Sequence, residues 1–385
     1  MTASAITQSP ARNGSWPALL AWLVVFAIAL LCLAARTTFP WLTTFPQQWS
    51  LPIADGVNAV SDAAVPVLRP AFRTLSALLN VPMRAVRGFL EWLPWPATML
   101  AAVALSLKSG GVRLAVFCAL ALGYILIAGY WPQSMNTLSL VLLAVPLSAL
   151  LGFALGAAGY RFRAVRQALL ALLDLMQTVP SFAYLIPLLL LFGFGPVVGL
   201  IASAIYATPP MVRNTMLGLD RVPDSIREAG MMSGCTRRQQ FWHVEVPTAL
   251  PQILVGFNQT TMAALSMVII AAIIGGFEDI GWEVLAAMRK AEFGQGILSG
   301  LVIALLAILI DRLTLGFANK SSAGRTRATP WMTGRRLAVA LCLAIVLALI
   351  LRLTLAERAL LPGSGLVGRA SVVNQWLLGI VRDYS

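Results

Sequence analysis

The chain has 385 residues, of which 59% are hydrophobic and only 11% are charged. A soluble chain of this length does not need so much apolar surface, so the composition predicts an all-α, polytopic membrane protein in a lipid bilayer. The net charge of +13 would suit nucleic acid in a soluble protein. Here the basic residues lie between apolar runs, so we interpret them as topology determinants facing the cytoplasm and expect no nucleic-acid partner.

The sequence does not suggest a metal site or a disulfide framework. Cys32, Cys118 and Cys342 lie in apolar runs, while Cys235 and the single histidine, His243, have no companions at metal-ligand spacing. We therefore expect neither a metal nor a cofactor.

The amino-terminal part has two segments of different character. Residues 1–36 hold a polar tail and an apolar run, which we interpret as a cytoplasmic tail and an uncleaved first span rather than a signal peptide. Residues 37–91 are rich in Pro and Trp and carry arginines among apolar residues. Their apolar positions within 67–79 keep a helical period, which predicts an amphipathic, extracytoplasmic helix along the membrane interface.

The later apolar runs predict further spans, which bring the total to about nine. These runs are 90–107, 112–131, 136–159, 168–194, 197–211, 252–275, 297–317 and 337–353. The turn at 161–166, the polar stretch 220–247 and the basic loop 320–336 then face the cytoplasm, as the positive-inside rule requires. We expect a transmembrane core at 92–317, an external or re-entrant helix within 277–295, and a basic loop, an extra span and a tail in 318–385.

Three glycines on one span, Gly152, Gly156 and Gly159, predict a close approach of another helix. The span 168–194 carries Pro180 and Pro187, and we expect both prolines to break it.

Polar residues inside spans are costly, so they are candidates for a translocation path. Gln177 and Thr178 precede Pro180, which frees a backbone carbonyl for a polar partner. Asp174 and Asp311 lie near predicted cytoplasmic ends, where we expect them to be solvated or paired with arginine.

The span 252–275 carries a second set of candidates. Gln259, Met262 and Ser266 recur on one helix face, and Asn258 and Thr261 lie on the neighbouring face. Hydrogen bonding between helices is the alternative interpretation for all of these polar residues.

The polar island, residues 220–247, interrupts this apolar sequence. Ser225 and Glu228 fit a capping box at the start of a short helix, and Gly234 is a natural helix stop. Thr236 and Gln239 fit a second capping box. We expect the second helix to end at the proline at position 247, so the island is predicted as a compact helix-turn-helix.

The spacing within the polar island resembles the EAA loop of ABC-importer permeases. That pattern is E-A-A-x-x-x-G, nine residues, then I-x-L-P, and this chain has Glu228-Ala229-Gly230, Gly234 and Val244-Glu245-Val246-Pro247. Gly230 replaces the second alanine, and the two valines replace isoleucine and leucine. The resemblance implies that this loop docks onto ATPase subunits through Ser225, Glu228, Ala229, Gly230, Gly234, Thr236, Gln239 and Pro247.

Other stretches resemble permeases for glycine betaine, proline betaine and choline. They are 247–276, 173–187 and 310–314, and the resemblance covers roughly 92–315. It implies a type I ABC-importer core in the inner membrane, paired with a second permease copy, cytoplasmic ATPase subunits and an extracytoplasmic solute-binding protein. No span shows an obvious aromatic cage for a quaternary ammonium group, which fits ligand capture by the separate binding protein.

Enzymatic activity finds little support in the sequence. It contains no GxxxxGK[ST], GxSxG or HExxH motif, so ATP hydrolysis is expected from a partner. The alternatives are an ABC permease for another amino-acid-like solute, an ion-driven secondary transporter and a polytopic membrane enzyme. Without matched broken helices or a buried carboxylate pair, the secondary-transporter alternative is weaker.

Overall fold

The computed structural model describes residues 16–34 and 52–322, and the regular elements in these residues are all helical. The helices are α1 (Trp16–Ala34), α2 (Ile53–Trp92), α3 (Trp95–Ile127), α4 (Trp131–Arg161), α5 (Arg163–Thr178), α6 (Ser181–Phe192), α7 (Pro196–Tyr206), α8 (Thr208–Asp220), α9 (Asp224–Met232), α10 (Arg237–Gln239), a π-helical segment (Gln240–Glu245), α11 (Val246–Gly275), α12 (Ile280–Arg289) and α13 (Phe293–Ser322). The all-α prediction is confirmed. The predicted last span, 337–353, lies outside the described residues.

The described residues form two compact units, one up to Ala64 and one from Val65 onward. In the first unit, α1 exposes nearly all of its apolar side chains from Leu20 onward. Such a surface requires an apolar environment, which a bilayer provides. The apolar stretch Leu20–Ala34 is shorter than a typical span, so the first span stays a prediction.

The part of α2 that belongs to the second unit, from Val65 onward, buries one side only. Phe72 packs edge-on against Phe192 at 4.9 Å between ring centroids, and Met83 and Leu90 are buried. These positions recur on one face of the helix. The one-sided burial agrees with the amphipathic pattern, while the assignment of 37–91 as an extracytoplasmic segment stays a prediction.

By length and composition alone, four helical stretches of the described chain could cross a membrane: α3, α4, Arg237–Gly275 and Phe293–Phe317. A fifth arises if α5 and α6, bent by 100° at their junction, form one broken span. The predicted nine spans are therefore not confirmed. The run 197–211 is divided between two short helices, because Pro209 and Pro210 open α8 instead of ending a span.

The chain reverses direction within α3. Gly111 has φ 76° and ψ −165°, a conformation that glycine adopts without steric cost. The side chains of Ser106 and Cys118, one on each side of Gly111, lie close together. Twelve residues of straight helix would separate them by about 18 Å, so the two arms of α3 run antiparallel. This turn falls at the predicted boundary between the runs 90–107 and 112–131, whereas residues 90–92 belong to α2.

The core of the second unit packs α4 against α8, and both against α11. A Cβ atom built on Gly152 would lie 2.5 Å from the Cβ of Met211, and one on Gly156 would lie 2.6 Å from the Cβ of Thr215. The backbones of α4 and α8 can approach this closely only because the side chains are absent. The predicted close packing at these glycines is confirmed, with α8 as the partner.

Candidate functional site

The first helix of the polar island, α9, begins in the structure at Asp224, one residue before the predicted cap Ser225. Pro223, with φ −60° and ψ 139°, is the residue before the helix, and no side chain caps it. The extended backbone of Pro223 lets the helix start at Asp224, so Ser225 already lies in the first turn. The capping box predicted for Ser225 and Glu228 is therefore wrong.

Gly234 ends this helix as predicted. It has φ 77°, and its N–H donates to the carbonyl of Met231 at 3.0 Å. The N–H of Cys235 donates to the carbonyl of Gly230 at 3.2 Å. These two bonds form a Schellman motif, which satisfies the free carbonyls at the helix end.

The second capping box is confirmed. The Thr236 hydroxyl accepts from the Gln239 N–H at 3.4 Å, and the Thr236 N–H donates to Gln239 Oε1 at 2.9 Å. The helix does not end at Pro247, however, because Arg237–Gly275 is continuous. The wider π-helical turn just before Pro247 leaves room for the proline ring, which would otherwise clash with the carbonyl four residues earlier.

Arg227 ties the polar island together. Its Nη2 donates to the Leu219 carbonyl at 2.8 Å and its Nη1 to Asp224 Oδ1 at 2.8 Å. Its Nε lies 3.6 Å from Glu245 Oε1, and Tyr160 at the end of α4 contacts it as well. One guanidinium thus joins α4, α8, α9 and the π-helical segment, a role that the sequence motif did not indicate.

Gly230 makes room for a side chain from the second helix. A Cβ atom on Gly230 would collide with the Gln240 carboxamide, whose Nε2 donates to the Arg227 carbonyl at 3.0 Å. Gln240 is only 9% exposed. Glycine at position 230, where alanine is usual, therefore leaves space for the buried Gln240 side chain, which joins the π-helical segment to α9.

The outer surface of the polar island is open to a partner. Glu228 makes no ion pair or side-chain hydrogen bond within the described residues. Around it, Met231 and Met232 are 60% and 89% exposed, and Trp242 is 49% exposed. The other exposed residues of the predicted docking set are Ser225, Ala229, Gly234, Thr236, Gln239 and Pro247. A charge flanked by exposed methionines is typical of a docking surface.

Two ion pairs fasten the broken span to α8. Arg166 of α5 makes a bidentate contact with Asp220, at 3.1 and 2.7 Å. Asp174, also on α5, pairs with Arg213 at 2.5 Å. Asp174, predicted to be solvated or paired with arginine, thus has an arginine partner, and two ion pairs join α5 to the helix that leads into the polar island.

The chain breaks at Pro180, as predicted, and the freed carbonyl is used. The Tyr184 hydroxyl donates to the carbonyl of Met176, four residues before the proline. Gln177 and Thr178 are exposed beside this break. Pro187, in contrast, lies inside α6 without breaking it, so the prediction of a second break is wrong.

The tyrosine at the break meets a second tyrosine from α7. The rings of Tyr184 and Tyr206 form an edge-to-face pair with centroids 6.0 Å apart. Both are partly exposed and pack with Met267 of α11. No single span contains this pair, which is why the sequence showed no aromatic cluster.

The candidate residues on α11 divide between two environments. Gln259 Oε1 accepts from Asn214 of α8 at 3.0 Å, and Asn258 Nδ2 donates to Asp311 of α13 at 3.3 Å. Hydrogen bonding between helices, the alternative interpretation, therefore holds for both amides. Gln259 and Ser266 are nevertheless exposed, with Met262 partly exposed between them, so this face of α11 is open along the middle of the helix.

The far end of α11 carries a buried carboxylate. Asp279 is fully buried, and its Oδ1 accepts from the Gly281 N–H at 2.5 Å at the start of α12. Burial raises the pKa of Asp279 to about 7, although hydrogen bonds from Gly281, Thr137 and Trp282 act in the opposite direction. The predicted external helix within 277–295 is thus anchored to α4 by a residue that the sequence did not single out.

Comparisons with known proteins agree with the resemblance of the polar island to the EAA loop of ABC-importer permeases. Residues 144–321 match the family described as binding-protein-dependent transport system inner membrane component. The chain is 34% identical to the glycine betaine/proline betaine transport system permease protein ProW of Escherichia coli (strain K12), over 74% of this chain and 79% of that protein. It is 39% identical to the glycine betaine transport system permease protein OpuAB of Bacillus subtilis (strain 168), over 56% of this chain and 76% of that protein.

A second group of relatives carries a different name. The chain is 41% identical to the trimethylamine N-oxide transport system permease protein TmoV of Pelagibacter ubique (strain HTCC1062), over 60% of this chain and 32% of that protein. It covers 47% of the protein of the same name from Ruegeria pomeroyi (strain ATCC 700808 / DSM 15171 / DSS-3), at 32% identity. The chain thus spans a third to a half of these two relatives. Because it covers 79% of the E. coli relative, the chain belongs to the family of binding-protein-dependent transport system inner membrane components.

Proposed function

We propose that this chain is the permease subunit of an ATP-driven importer for small solutes with a quaternary or trimethylated nitrogen. The observation that carries the proposal is the polar island, an ordered two-helix element with an unpaired outward glutamate and exposed methionines. Its internal bonds hold it to α4 and α8, so a partner that pushes on it moves the bundle.

The partner on this surface is a cytoplasmic ATPase subunit. When two ATPase subunits close on ATP, the displaced polar island transmits the motion along the continuous helix Arg237–Gly275. The Arg166–Asp220 pair carries α5 with it. ATP shifts the bundle toward one of its two conformations only because the complex binds ATP more tightly in that conformation.

A second copy of the chain completes the path. The open face of α11, with Gln259, Met262 and Ser266, lies about midway along a helix that crosses the membrane. Transporters commonly place their solute contacts near the membrane midplane, at the interface of two repeats. Two such faces opposed around an axis would enclose a passage, fed by an extracytoplasmic solute-binding protein.

The solute class follows from the relatives and from the tyrosine pair. The named solutes of the relatives, glycine betaine, proline betaine and trimethylamine N-oxide, all have a highly methylated nitrogen. Tyr184 and Tyr206 offer partly exposed aromatic rings, which attract the positively charged, methylated nitrogen of such solutes weakly. Weak attraction suits a transit path, because a conducting site must release its solute.

Uptake by proteoliposomes that contain the purified complex tests the proposal. With ATP inside and binding protein outside, labelled glycine betaine should accumulate, and unlabelled proline betaine, choline or trimethylamine N-oxide should compete. Competition by an unmethylated amino acid alone would favour the alternative of another amino-acid-like solute. Uptake that needs an ion gradient and no ATP would overturn the proposal in favour of a secondary transporter.

A further inference from the structure

A cavity of about 420 Å³ lies between the reversal of α3 and the last turns of α13. Its walls include Arg113, Leu114 and Phe117 from α3, and Ile308, Arg312 and Leu315 from α13. It is an open depression whose lining combines two arginines with apolar side chains. Neither the polar island nor the open face of α11 contributes to it.

The two arginines of the cavity share a single, long ion pair among the described residues. Arg113 makes no ion pair within the described residues. Arg312 Nε lies 3.9 Å from Asp311 Oδ2, while Asn258 donates to Oδ1 of the same carboxylate. Arg312 is 63% exposed on its side chain, so it is free to turn toward a ligand. Two cations that line one cavity favour an anionic occupant.

The contact between Asn258 and Asp311 fixes the level of the cavity in the bundle. Asn258 lies about 18 Å along α11 from the polar island. Because α12 joins α11 to α13 at the far end, α13 runs back from Asp311 toward the polar island. Arg312 and Leu315 thus approach the end of the bundle that carries the polar island, which the proposed function places in the cytoplasm.

The surface beside the cavity is apolar and exposed. Val112, Val116 and Leu120 are 69%, 53% and 70% exposed on the adjacent face of α3, and Ile308 is 43% exposed on α13. In a bilayer, side chains of this kind face acyl chains. A soluble anion would gain nothing from them, whereas a phospholipid would place its headgroup between the arginines and its tails along this surface.

We propose that this cavity is a binding site for an anionic phospholipid, with its phosphate held by Arg113 and Arg312. Basic pockets between helices at the cytoplasmic level are a recurrent form of lipid-headgroup site. Arginine suits this role because its planar group can bind phosphate through two hydrogen bonds.

Native mass spectrometry of the delipidated full chain in detergent tests the site. The probes are dioleoyl phosphatidylglycerol, dioleoyl phosphatidylcholine and inorganic phosphate. We expect one phosphatidylglycerol to bind more tightly than phosphatidylcholine. Each arginine near an anionic lipid contributes a factor of about 5, so the double variant R113Q/R312Q should weaken phosphatidylglycerol binding about 25-fold.

The controls separate this site from general surface charge and from misfolding. Arg163, exposed at the start of α5, does not line the cavity, and R163Q should bind phosphatidylglycerol like the wild type. R113K/R312K keeps both charges and should retain more binding than the double glutamine variant. I308W should fill the cavity and lose the lipid with both arginines intact.

Three outcomes would overturn the proposal. Equal binding of phosphatidylglycerol by wild type and R113Q/R312Q would show that the arginines do not hold the lipid, for example because another segment of this chain occupies the cavity. An equal loss in R163Q would reduce the effect to diffuse charge. Displacement of phosphatidylglycerol by millimolar inorganic phosphate would identify a site for a soluble anion.

Discussion

Replacing Gly156 by alanine tests the packing of α4 against α8. The new Cβ atom would lie 2.6 Å from the Cβ of Thr215 and 2.9 Å from the carbonyl oxygen of Val212. Ordinary contacts between carbon atoms are about 3.5–4.0 Å, so the two helices would have to separate by about 1 Å. A backbone carbonyl cannot rotate aside like a side chain, so we expect a loss of about 1–3 kcal/mol in the free energy of unfolding.

Gly300 of α13 provides the matched control, because no heavy atom lies within 4 Å of a Cβ built there. Alanine favours a helix over glycine by about 1 kcal/mol, so G300A should be as stable as the wild type or more stable. Denaturant titrations in mixed micelles, followed by tryptophan fluorescence, measure both variants. A G156A variant as stable as G300A would refute the close packing of α4 and α8.

Three further variants test other parts of the structure. R227Q removes the hydrogen bond to the Leu219 carbonyl and the partner of Glu245. Amide hydrogen exchange in the polar island should therefore accelerate about 30-fold, which corresponds to about 2 kcal/mol. Unchanged exchange rates would contradict the role of Arg227 in holding the island together. In the folded wild type, the raised pKa of Asp279 keeps this carboxyl group protonated up to about pH 7, whereas in the unfolded chain it loses its proton near pH 4. The free energy of unfolding should therefore fall as the pH rises from about 4 to 7. D279N should lack much of this fall in unfolding titrations. Q259L should change uptake rate or solute preference while ATPase subunits still co-purify, and wild-type kinetics would count against a path along α11.

Local signals in the sequence predicted local structure well. Thr236 and Gln239 are three residues apart, and their mutual bonds depend on little else. Gly234 stops its helix because its own φ is positive. The box at Ser225 failed because Pro223 had already fixed where the helix begins. A competing local signal two residues upstream was therefore decisive.

Contacts between residues far apart in the chain could not be predicted from the sequence pattern. The spacing of the α4 glycines predicted a close neighbour, but only the fold identifies Met211 and Thr215 as what they meet. Tyr184 and Tyr206 come from different helices, and their pairing depends on the sharp break at Pro180. The partners of Arg227 likewise come from four separate elements.

The predicted number of spans was not confirmed, because hydropathy alone does not show where a helix bends or ends. Helices α6, α7 and α8 are each too short to cross a membrane alone, although they lie in apolar runs that the sequence predicted as spans. Apolar runs of similar composition thus form complete spans, half-spans or bent pairs, according to where glycine and proline interrupt the helix.

Co-purification of ATPase activity tests the central claim most directly. The tagged chain is purified from detergent-solubilised native membranes, as wild type, as E228K and as E278K, which makes the same charge change at an exposed glutamate at the opposite end of the bundle. We expect a nucleotide-hydrolysing subunit to co-purify with the wild type and with E278K, and to be lost or uncoupled with E228K. A wild-type chain that purifies alone, or an E228K variant that retains its partner and coupled hydrolysis, would contradict the assignment of the polar island as the docking site for an ATPase.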